Sequence, residues 1–261
     1  MSSKTLGFIG TGVLASSIIH GICGAPKLSG TRIVVSPRNA GRASELASMY
    51  RNVTVASSNQ EVLDASDWVA ISVVPAVAES VVRELLFRPD HTVISVLATK
   101  RLDIVNSWMS PVARLFRMVP MPFIARGIGP ITLYPADDEI EKFFGNLGRV
   151  IVMDEEPQVE LTNAITSVTN ATYTVIETVA NWGEKNGLPR DKALDYTISY
   201  FEAMLSQISD GRSSDLARFV EERTPGGLND TVMRLITSRG GFDLWAEGLD
   251  AAIKKSRADY L

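Results

Sequence analysis

The stretch Lys4-Thr5-Leu6-Gly7-Phe8-Ile9-Gly10-Thr11-Gly12-Val13-Leu14-Ala15-Ser16-Ser17-Ile18-Ile19-His20-Gly21-Ile22 decides the fold. A short apolar run ends at Ile9, breaks into Gly10-Thr11-Gly12 and passes into an apolar pattern of helical spacing that continues to about Cys23. This order reads as strand, tight turn and helix N-terminus. A pyrophosphate docks at such a place because the first N–H groups of a helix have no intrahelical partner and point at the anion. Gly10 permits the turn, Gly12 lets the backbone approach the phosphates, and Ala15 takes the third position of G-x-G-x-x-A, where a small residue lets helix and strand pack closely. Thr11, Val13 and Leu14 complete the candidate phosphate cradle. The context, directly after a strand and directly before a helix, gives this short motif its weight.

The next strand selects the dinucleotide. It reads Arg32-Ile33-Val34-Val35, and it ends in Ser36-Pro37-Arg38-Asn39, where an NAD-binding chain places an acid for the ribose 2′-hydroxyl. No carboxylate stands there. A hydroxyl on Ser36, a guanidinium on Arg38 and an amide on Asn39 suit a 2′-phosphate, because arginine presents a planar fork of donors to a dianionic oxyanion. The expected cofactor is therefore NADP(H).

Composition bounds the remaining possibilities. With 261 residues, 45% of them hydrophobic, and a net charge of −4, the chain suits one large or two ordinary globular domains. Basic and acidic residues are interspersed, with no basic run to serve as an electrostatic footprint for nucleic acid. No apolar stretch approaches the roughly 20 residues of a spanning helix, and no signal-like segment stands between Met1 and the first strand. The expectation is a cytoplasmic protein without a nucleic-acid or membrane partner. Cys23 is the only cysteine, which excludes an intrachain disulfide and a cysteine metal cluster and leaves it as a small hydrophobe of the first helix. No H-x-x-x-H, paired-cysteine or clustered-acid pattern points to a metal, and Asp137, Asp138, Glu139 and Glu141 read as the acidic first turn of a helix.

Up to about Asp154 the chain alternates short β-rich runs with helical segments, the pattern of a parallel sheet covered by helices on both faces. Strands are expected at Leu6–Ile9, Arg32–Val35, Val53–Ala56, Trp68–Val73, Thr92–Leu97, Leu115–Val119, Ile131–Tyr134 and Val150–Met153. From Glu155 on, helical patterns dominate, at about Gln158–Asn186, Pro189–Ser209, Ser213–Glu222, Leu228–Ser238 and Gly241–Tyr260. The expected organisation is a doubly wound, Rossmann-like α/β domain over 1–154 and an all-helical domain over 155–261. Leu161, Ile165, Val168, Thr172, Val175, Ile176 and Val179 recur at helical spacing on one long segment, an apolar face that packing against a second copy would bury.

These segments together resemble the pyrroline-5-carboxylate reductase family over the whole chain. GFIGTGVLASSIIHGI resembles the family's cofactor turn, and VSPRNAGRASELA its 2′-phosphate turn. SSNQEVLDASDWVAISVVP resembles the segment in which an asparagine, here Asn59, approaches the cofactor ribose and a Pro-terminated strand follows, here ending at Val74-Pro75. The most specific likeness lies in GLPRDKA and TPGGLNDTVMRLITSRGGFDLWAEGLDAAIKKSRADYL, with its Pro-Gly-Gly turn, Gly-Phe and terminal helix. The resemblance implies an NADPH-dependent reductase of a cyclic imine, 1-pyrroline-5-carboxylate to proline, working as a homodimer or larger homo-oligomer. Substrate contacts then fall on Thr224, Gly226, Gly227, Asn170 and Met121, with Asn229 as the residue nearest the reacting imine.

The chain departs from the family where the substrate would sit. The family's S-P-G-G-T-T stands here as Thr224-Pro225-Gly226-Gly227-Leu228-Asn229, so two threonines are replaced. Its S-G-S-G-P-A-Y stands as Ser167-Val168-Thr169-Asn170-Ala171-Thr172-Tyr173. Its M-P-N-T-P has become Val119-Pro120-Met121-Pro122, and the lysine of its K-P pair is Val74. A cyclic imine bulkier or less polar than pyrroline-5-carboxylate fits these changes. A cyclic iminium also needs no strong side-chain acid, so His20, on the first helix, and His91, in a turn before a strand, have no catalytic part. Two other readings share the N-terminal turn: a β-hydroxyacid-dehydrogenase-like or deazaflavin-linked NADP oxidoreductase, and a non-catalytic NADP-binding sensor. The first calls for a lysine on the long helix, where Lys185 lies at the far end; the second would explain the missing threonines.

Overall fold

The computed structural model describes residues 4–112, 114–211 and 216–258. All eight expected strands form, and they join one sheet in the order β3-β2-β1-β4-β5-β6-β7-β8. They are β1 (Thr5–Ile9), β2 (Arg32–Val35), β3 (Val53–Val55), β4 (Trp68–Ile71), β5 (Thr92–Ser95), β6 (Arg114–Pro120), β7 (Pro130–Tyr134) and β8 (Arg149–Val152). Helices α1 (Val13–Gly24), α2 (Ala40–Met49), α3 (Asn59–Asp64), α4 (Pro75–Arg83), α5 (Leu102–Asn106) and α6 (Asp138–Phe144) connect them.

Period-two alternation puts helices on both faces. Leu6, Phe8, Ile33, Val35, Trp68, Ala70 and Ile94 point to one side, where they meet Ala15, Ile18, Ile19 and Ile22 of α1, Leu46 of α2 and Phe144 of α6. Their neighbours Ile9, Val34, Val69, Ile71 and Val93 point to the other and pack on Val62 and Leu63 of α3, Val82 of α4 and Val105 of α5. Each such aliphatic side chain, once fully buried, contributes about 1.5–3 kcal/mol. The order reverses at β1, whose neighbours β2 and β4 are both parallel to it. That switch point opens a crevice at the carboxyl ends of the strands, where ligands of such sheets bind.

One expectation is corrected here. The sheet is parallel only through β6; β7 runs antiparallel to β6, and β8 follows β7 in parallel. Only residues 121–129, which include a 3-10 turn at Pro122–Arg126, separate β6 from β7. A parallel return needs a crossover of about a dozen residues or more, so the chain must turn back beside the strand it has just left.

The helical half consists of α7 (Glu156–Thr166), α8 (Thr169–Lys185), α9 (Arg190–Gly211), α10 (Leu216–Glu221), α11 (Leu228–Ser238) and α12 (Asp243–Ala258). The long helix expected over Gln158–Asn186 is two helices, broken at Ser167-Val168. Hydroxyls there bond back to the chain, Ser167 Oγ to the Ala164 carbonyl at 2.6 Å and Thr169 Oγ1 to that of Thr166 at 2.7 Å. Such side-chain bonds compete with the helical ladder. Residues 213–215 of the segment expected at Ser213–Glu222, and residues 259–260 of the last, lie outside the described residues. Secondary structure changes character between Val152 and Glu156, whereas the compact units divide after Asn163: Ala164–Lys254 forms the second unit, and the chain from Lys255 returns to the first. Within the first unit that return is marked by Arg257 Nε, 3.4 Å from the Glu160 carboxylate.

Candidate active site

The Gly10 turn is braced from both flanking strand ends. Its N–H donates to Ser36 Oγ at 2.9 Å, and its carbonyl accepts from Ser72 Oγ at 2.8 Å. Gly10 has φ +99°, and a Cβ there would stand 2.7 Å from the Ser72 carbonyl oxygen. Only glycine fits on both counts. Gly12 differs: its φ of −75° suits any residue, and a Cβ would meet nothing nearer than the Ser72 carbonyl oxygen at 3.9 Å. Its lack of a side chain therefore serves the open side of the turn.

Gly12 caps α1 without a side-chain bond, and no acid occupies the first turn. The amides of Val13, Leu14 and Ala15 are left without intrahelical partners, and the helix dipole places partial positive charge there. Val13 is exposed and Leu14 half-buried. Thr11 is buried, and its hydroxyl has no hydrogen-bond partner among the described residues; the Ser95 hydroxyl, at the end of β5, is in the same state. An unpaired buried hydroxyl costs about 1–3 kcal/mol. An orphaned Thr11 hydroxyl next to the uncapped amides of α1 fits a phosphate-bearing dinucleotide.

The residues expected at the 2′-phosphate divide their work. Ser36 is buried beneath the turn and braces it, while Arg38 and Asn39 lie at the surface. Asn39 also caps α2, its Oδ1 accepting from Arg42 N at 3.4 Å, so its amide nitrogen remains for a ligand. Arg42, half-exposed one turn further on, was missed by sequence reasoning, although an arginine in the first turn of the helix after an S-P-R-N turn was a readable signal. Asn59 opens α3 behind the Ser58 cap, half-buried. Val74 is exposed and caps α4, with Pro75 at its first position, where a missing N–H costs nothing. Met121, half-buried after β6, begins the turn at Pro122–Arg126. Gly10 to Leu14, Ser36 to Asn39, Val74-Pro75 and Met121 thus follow the carboxyl ends of β1, β2, β4 and β6 in the first unit.

The remaining residues belong to the second unit. Asn170 is exposed near the start of α8. Thr224 and Asn229 are exposed on the turn and first turn of α11. The N–H groups of Gly226 and Gly227 are both engaged within the turn. Gly226 N donates to Asp230 Oδ2 at 2.9 Å, and Gly227 N to the Thr224 carbonyl at 2.9 Å. The turn closes on itself, and the amides without intrahelical partners sit one step further in, at Leu228, Asn229 and Asp230. Asp230 is the residue sequence reasoning overlooked. Its carboxylate also accepts from Arg223 Nε at 3.0 Å and Arg234 Nε at 2.8 Å. The Gly226 amide and then the two arginines hold it below the usual carboxylate range.

Both histidines have structural partners. His91 is buried, with Nδ1 accepting from Arg88 N at 3.1 Å and Nε2 facing the Leu63 carbonyl at 3.1 Å; burial, then the nearby Arg88 charge, pushes its imidazole toward the neutral form. His20 Nδ1 lies 2.8 Å from the Tyr50 hydroxyl. Cys23 is half-buried on α1, with burial raising its thiol pKa. Among the described residues no group of three His, Cys, Asp or Glu side chains is placed to hold a metal.

A doubly wound sheet with a glycine turn at its switch point and an arginine-bearing turn after β2 defines a dinucleotide-dependent oxidoreductase. Residues 5–99 match the family described as NADP oxidoreductase, coenzyme F420-dependent, a match confined to the cofactor-binding half. Over the full length the relatives are more specific. A pyrroline-5-carboxylate reductase of Pisum sativum is 32% identical over 92% of this chain and 85% of its own, and one of Glycine max is 29% identical over 98% and 96%. The chain belongs to the pyrroline-5-carboxylate reductase family. In fold it matches the 1-pyrroline-5-carboxylate reductase of Streptococcus pyogenes with a TM-score of 0.84 at 23% identity, covering 98% of each chain.

Proposed function

We propose that this chain reduces the C=N bond of a small cyclic imine, pyrroline-5-carboxylate or a close relative of it, with NADPH, and so makes proline or a related cyclic amino acid. The observation that carries the reading is the pair of built turns on one chain. One is the braced Gly10-Thr11-Gly12 turn with an orphaned buried hydroxyl, and the other is the Pro-Gly-Gly turn leading into free helix amides. The solved structure of a Plasmodium falciparum relative with NADP bound, at 19% identity, agrees in fold with the cofactor assignment.

Residues 1–154 then serve the cofactor, and 155–261 the substrate and the assembly. Gly12, Val13 and Leu14 amides with Thr11 would hold the pyrophosphate; Arg38, Asn39 and Arg42 the 2′-phosphate; Asn59, Val74 and Pro75 the sugar edges. When bound, NADPH supplies the hydride that the imine carbon accepts. The chain's own task is to orient the imine and keep its nitrogen protonated or hydrogen-bonded, for which Asn229 is the candidate, with Leu228 to Asp230 amides available to the substrate carboxylate. Met121 in the first unit and Asn170 in the second are each further substrate residues on this reading. A cyclic iminium arrives with its proton, so neither histidine is needed.

A second copy completes the helical half. Within Ala164–Lys254 the only buried hydrophobic residues among those described are Ala164, Ala180 and Ala193. Small residues join α8 to α9, where a Cβ on Gly183 would stand 3.4 Å from that of Ala193. Trp182, Tyr196, Leu228 and Leu244 are left 64–88% exposed. So much bare aromatic and aliphatic surface marks an association site, and self-association on the helical half is the assembly we propose. No helix among the described residues is long and apolar enough to cross a membrane. A cytoplasmic setting, with Cys23 kept as a free thiol, belongs to the same reading.

The test is NADPH oxidation with a panel running from pyrroline-5-carboxylate to larger and less polar cyclic imines. Turnover of at least one supports the reductase. Tight NADPH binding with no turnover of any would transfer the assignment to the sensor reading, which Leu228 and Asn229 favour by standing where the family has threonines.

A further inference from the structure

Arg117 lies in the middle of an apolar strand, Leu115-Phe116-Arg117-Met118-Val119, and none of it reaches solvent. Its Nη1 is 3.1 Å from Glu156 Oε1, and its Nη2 donates to the Ala98 carbonyl at 2.7 Å. The same carbonyl accepts from Asn163 Nδ2 at 2.8 Å. Glu156 Oε1 in turn accepts from Leu102 N at 2.7 Å, closing the first turn of α5. One buried guanidinium, one amide and one carboxylate thus seize the chain between β5 and α5 at two points, Ala98 and Leu102. Between them Lys100 N bonds the Leu97 carbonyl at 3.2 Å, so the loop has little freedom left.

Stability alone does not call for this arrangement. A buried ion pair offers little or no gain over well-packed apolar residues of the same volume, because desolvation offsets the attraction. What it does offer is position, since both partners have fixed geometry and directional bonds. The loop that it fixes leaves β5 at the carboxyl edge of the sheet. The proposed 2′-phosphate group follows β2 and the pyrophosphate turn follows β1, so an extended dinucleotide continues past β4 toward β5 with its nicotinamide half.

We propose that Arg117 and Asn163 are positioning residues that hold the 97–101 loop, through the Ala98 carbonyl, as the support for the nicotinamide half of NADPH. The inference rests on the cofactor reading above. Two donors on one carbonyl fix the peptide plane that follows Ala98, and with it the face that the half-exposed Thr99 and Lys100 present. Glu156 secures the far end of the loop and keeps the guanidinium in place.

The experiment compares NADPH with adenosine 2′,5′-diphosphate, a fragment that carries only the adenine half, by titrating wild type, Arg117→Lys and Asn163→Leu. Lysine keeps a charge for Glu156 but cannot span both acceptors; leucine keeps the volume of asparagine without its donor. The expected result is a fall in NADPH affinity of about 5- to 20-fold, the value of one directional bond to a fixed group, with fragment affinity within about twofold of wild type. Bound NADPH should also lose part of its nicotinamide fluorescence change. NADPH affinity that stays within twofold, or falls by the same factor as the fragment, overturns the proposal. If Arg117→Lys does not fold, Asn163→Leu decides alone. A wild-type protein that binds neither ligand would refute the cofactor reading instead, and would be recognised as such.

Discussion

Gly10 and Gly12 stand two residues apart in one motif, yet the structure predicts opposite consequences for the same substitution. At Gly10 an alanine must adopt φ +99°, and its Cβ would meet the Ser72 carbonyl oxygen at 2.7 Å and the carbonyl carbon at 2.9 Å. Left-handed backbone costs an L-residue about 1–2 kcal/mol, and forcing a methyl against main chain adds about 1–3 kcal/mol. The sum, about 2–5 kcal/mol, translates into a fall in Tm of roughly 5–15 °C for a chain of this size. At Gly12 the backbone is already ordinary, and the nearest atom to a Cβ is 3.9 Å away. Gly12→Ala should leave Tm within about 2 °C of wild type, the scale of an N-cap change from glycine to alanine. Its methyl instead occupies the approach of the pyrophosphate, so NADPH affinity should fall at least about tenfold, or 1.4 kcal/mol. Differential scanning calorimetry and a fluorescence titration with NADPH read the two effects separately. A Gly12→Ala protein that binds NADPH like wild type, or a Gly10→Ala protein that melts like wild type, would refute the division of labour.

Three further outcomes follow from named contacts. Arg38→Ala should weaken NADPH binding by about 1.5–3 kcal/mol, the value of hydrogen bonds to a charged group, while NADH binding changes little; equal losses for both cofactors would remove the 2′-phosphate assignment. Ile165 is 59% exposed in the single chain, so Ile165→Asp should leave helix content intact yet lower the molar mass seen by light scattering, and a wild-type chain that runs as a folded monomer would count against self-association. Asp230, whose carboxyl is held below its unfolded value, contributes stability that is present above about pH 4 and lost as pH falls through the lowered folded pKa. The Tm gap between wild type and Asp230→Asn should therefore be widest at neutral pH and shrink on acidification; a gap independent of pH would deny the carboxylate its part in holding the Pro-Gly-Gly turn.

What the sequence disclosed and what it concealed separate by range. The eight strands, the cofactor turn and α11 were legible because each is written in a few consecutive residues: apolar runs of strand length, a G-x-G at a strand end, a Pro-Gly-Gly before a helical pattern. The antiparallel β7 was also within reach, since residues 121–129 are too few for a crossover, but the apolar pattern of a strand is silent about its direction. The break at Ser167-Val168 was hidden because Leu161, Ile165, Val168, Thr172 and Val175 keep a helical period across it, while the hydroxyl bonds that interrupt the ladder leave no mark on periodicity.

The supports of the site were the least visible, and the reason is physical. Ser36 and Ser72 reach Gly10 across 26 and 62 positions of chain, and Asn163 reaches Ala98 across 65. A polar residue at a strand end reads as surface until the partner strand is known, so the brace that Ser36 Oγ gives the Gly10 amide was not legible. Arg117 carried a signal that pattern reading could have used: a lone guanidinium among Leu115, Phe116, Met118 and Val119 must find a carboxylate or expel itself from the sheet, because an unpaired buried charge is too costly to keep. Asp230 carried the matching one. An acid directly after the residues that replace the family's two threonines, with arginines at 223 and 234, already describes a latch on the turn. Beside the two replaced threonines Asp230 takes up the Gly226 amide at 2.9 Å, so on the proposed reading the substrate is left to the amides of Leu228 to Asp230 and to the side chain of Asn229.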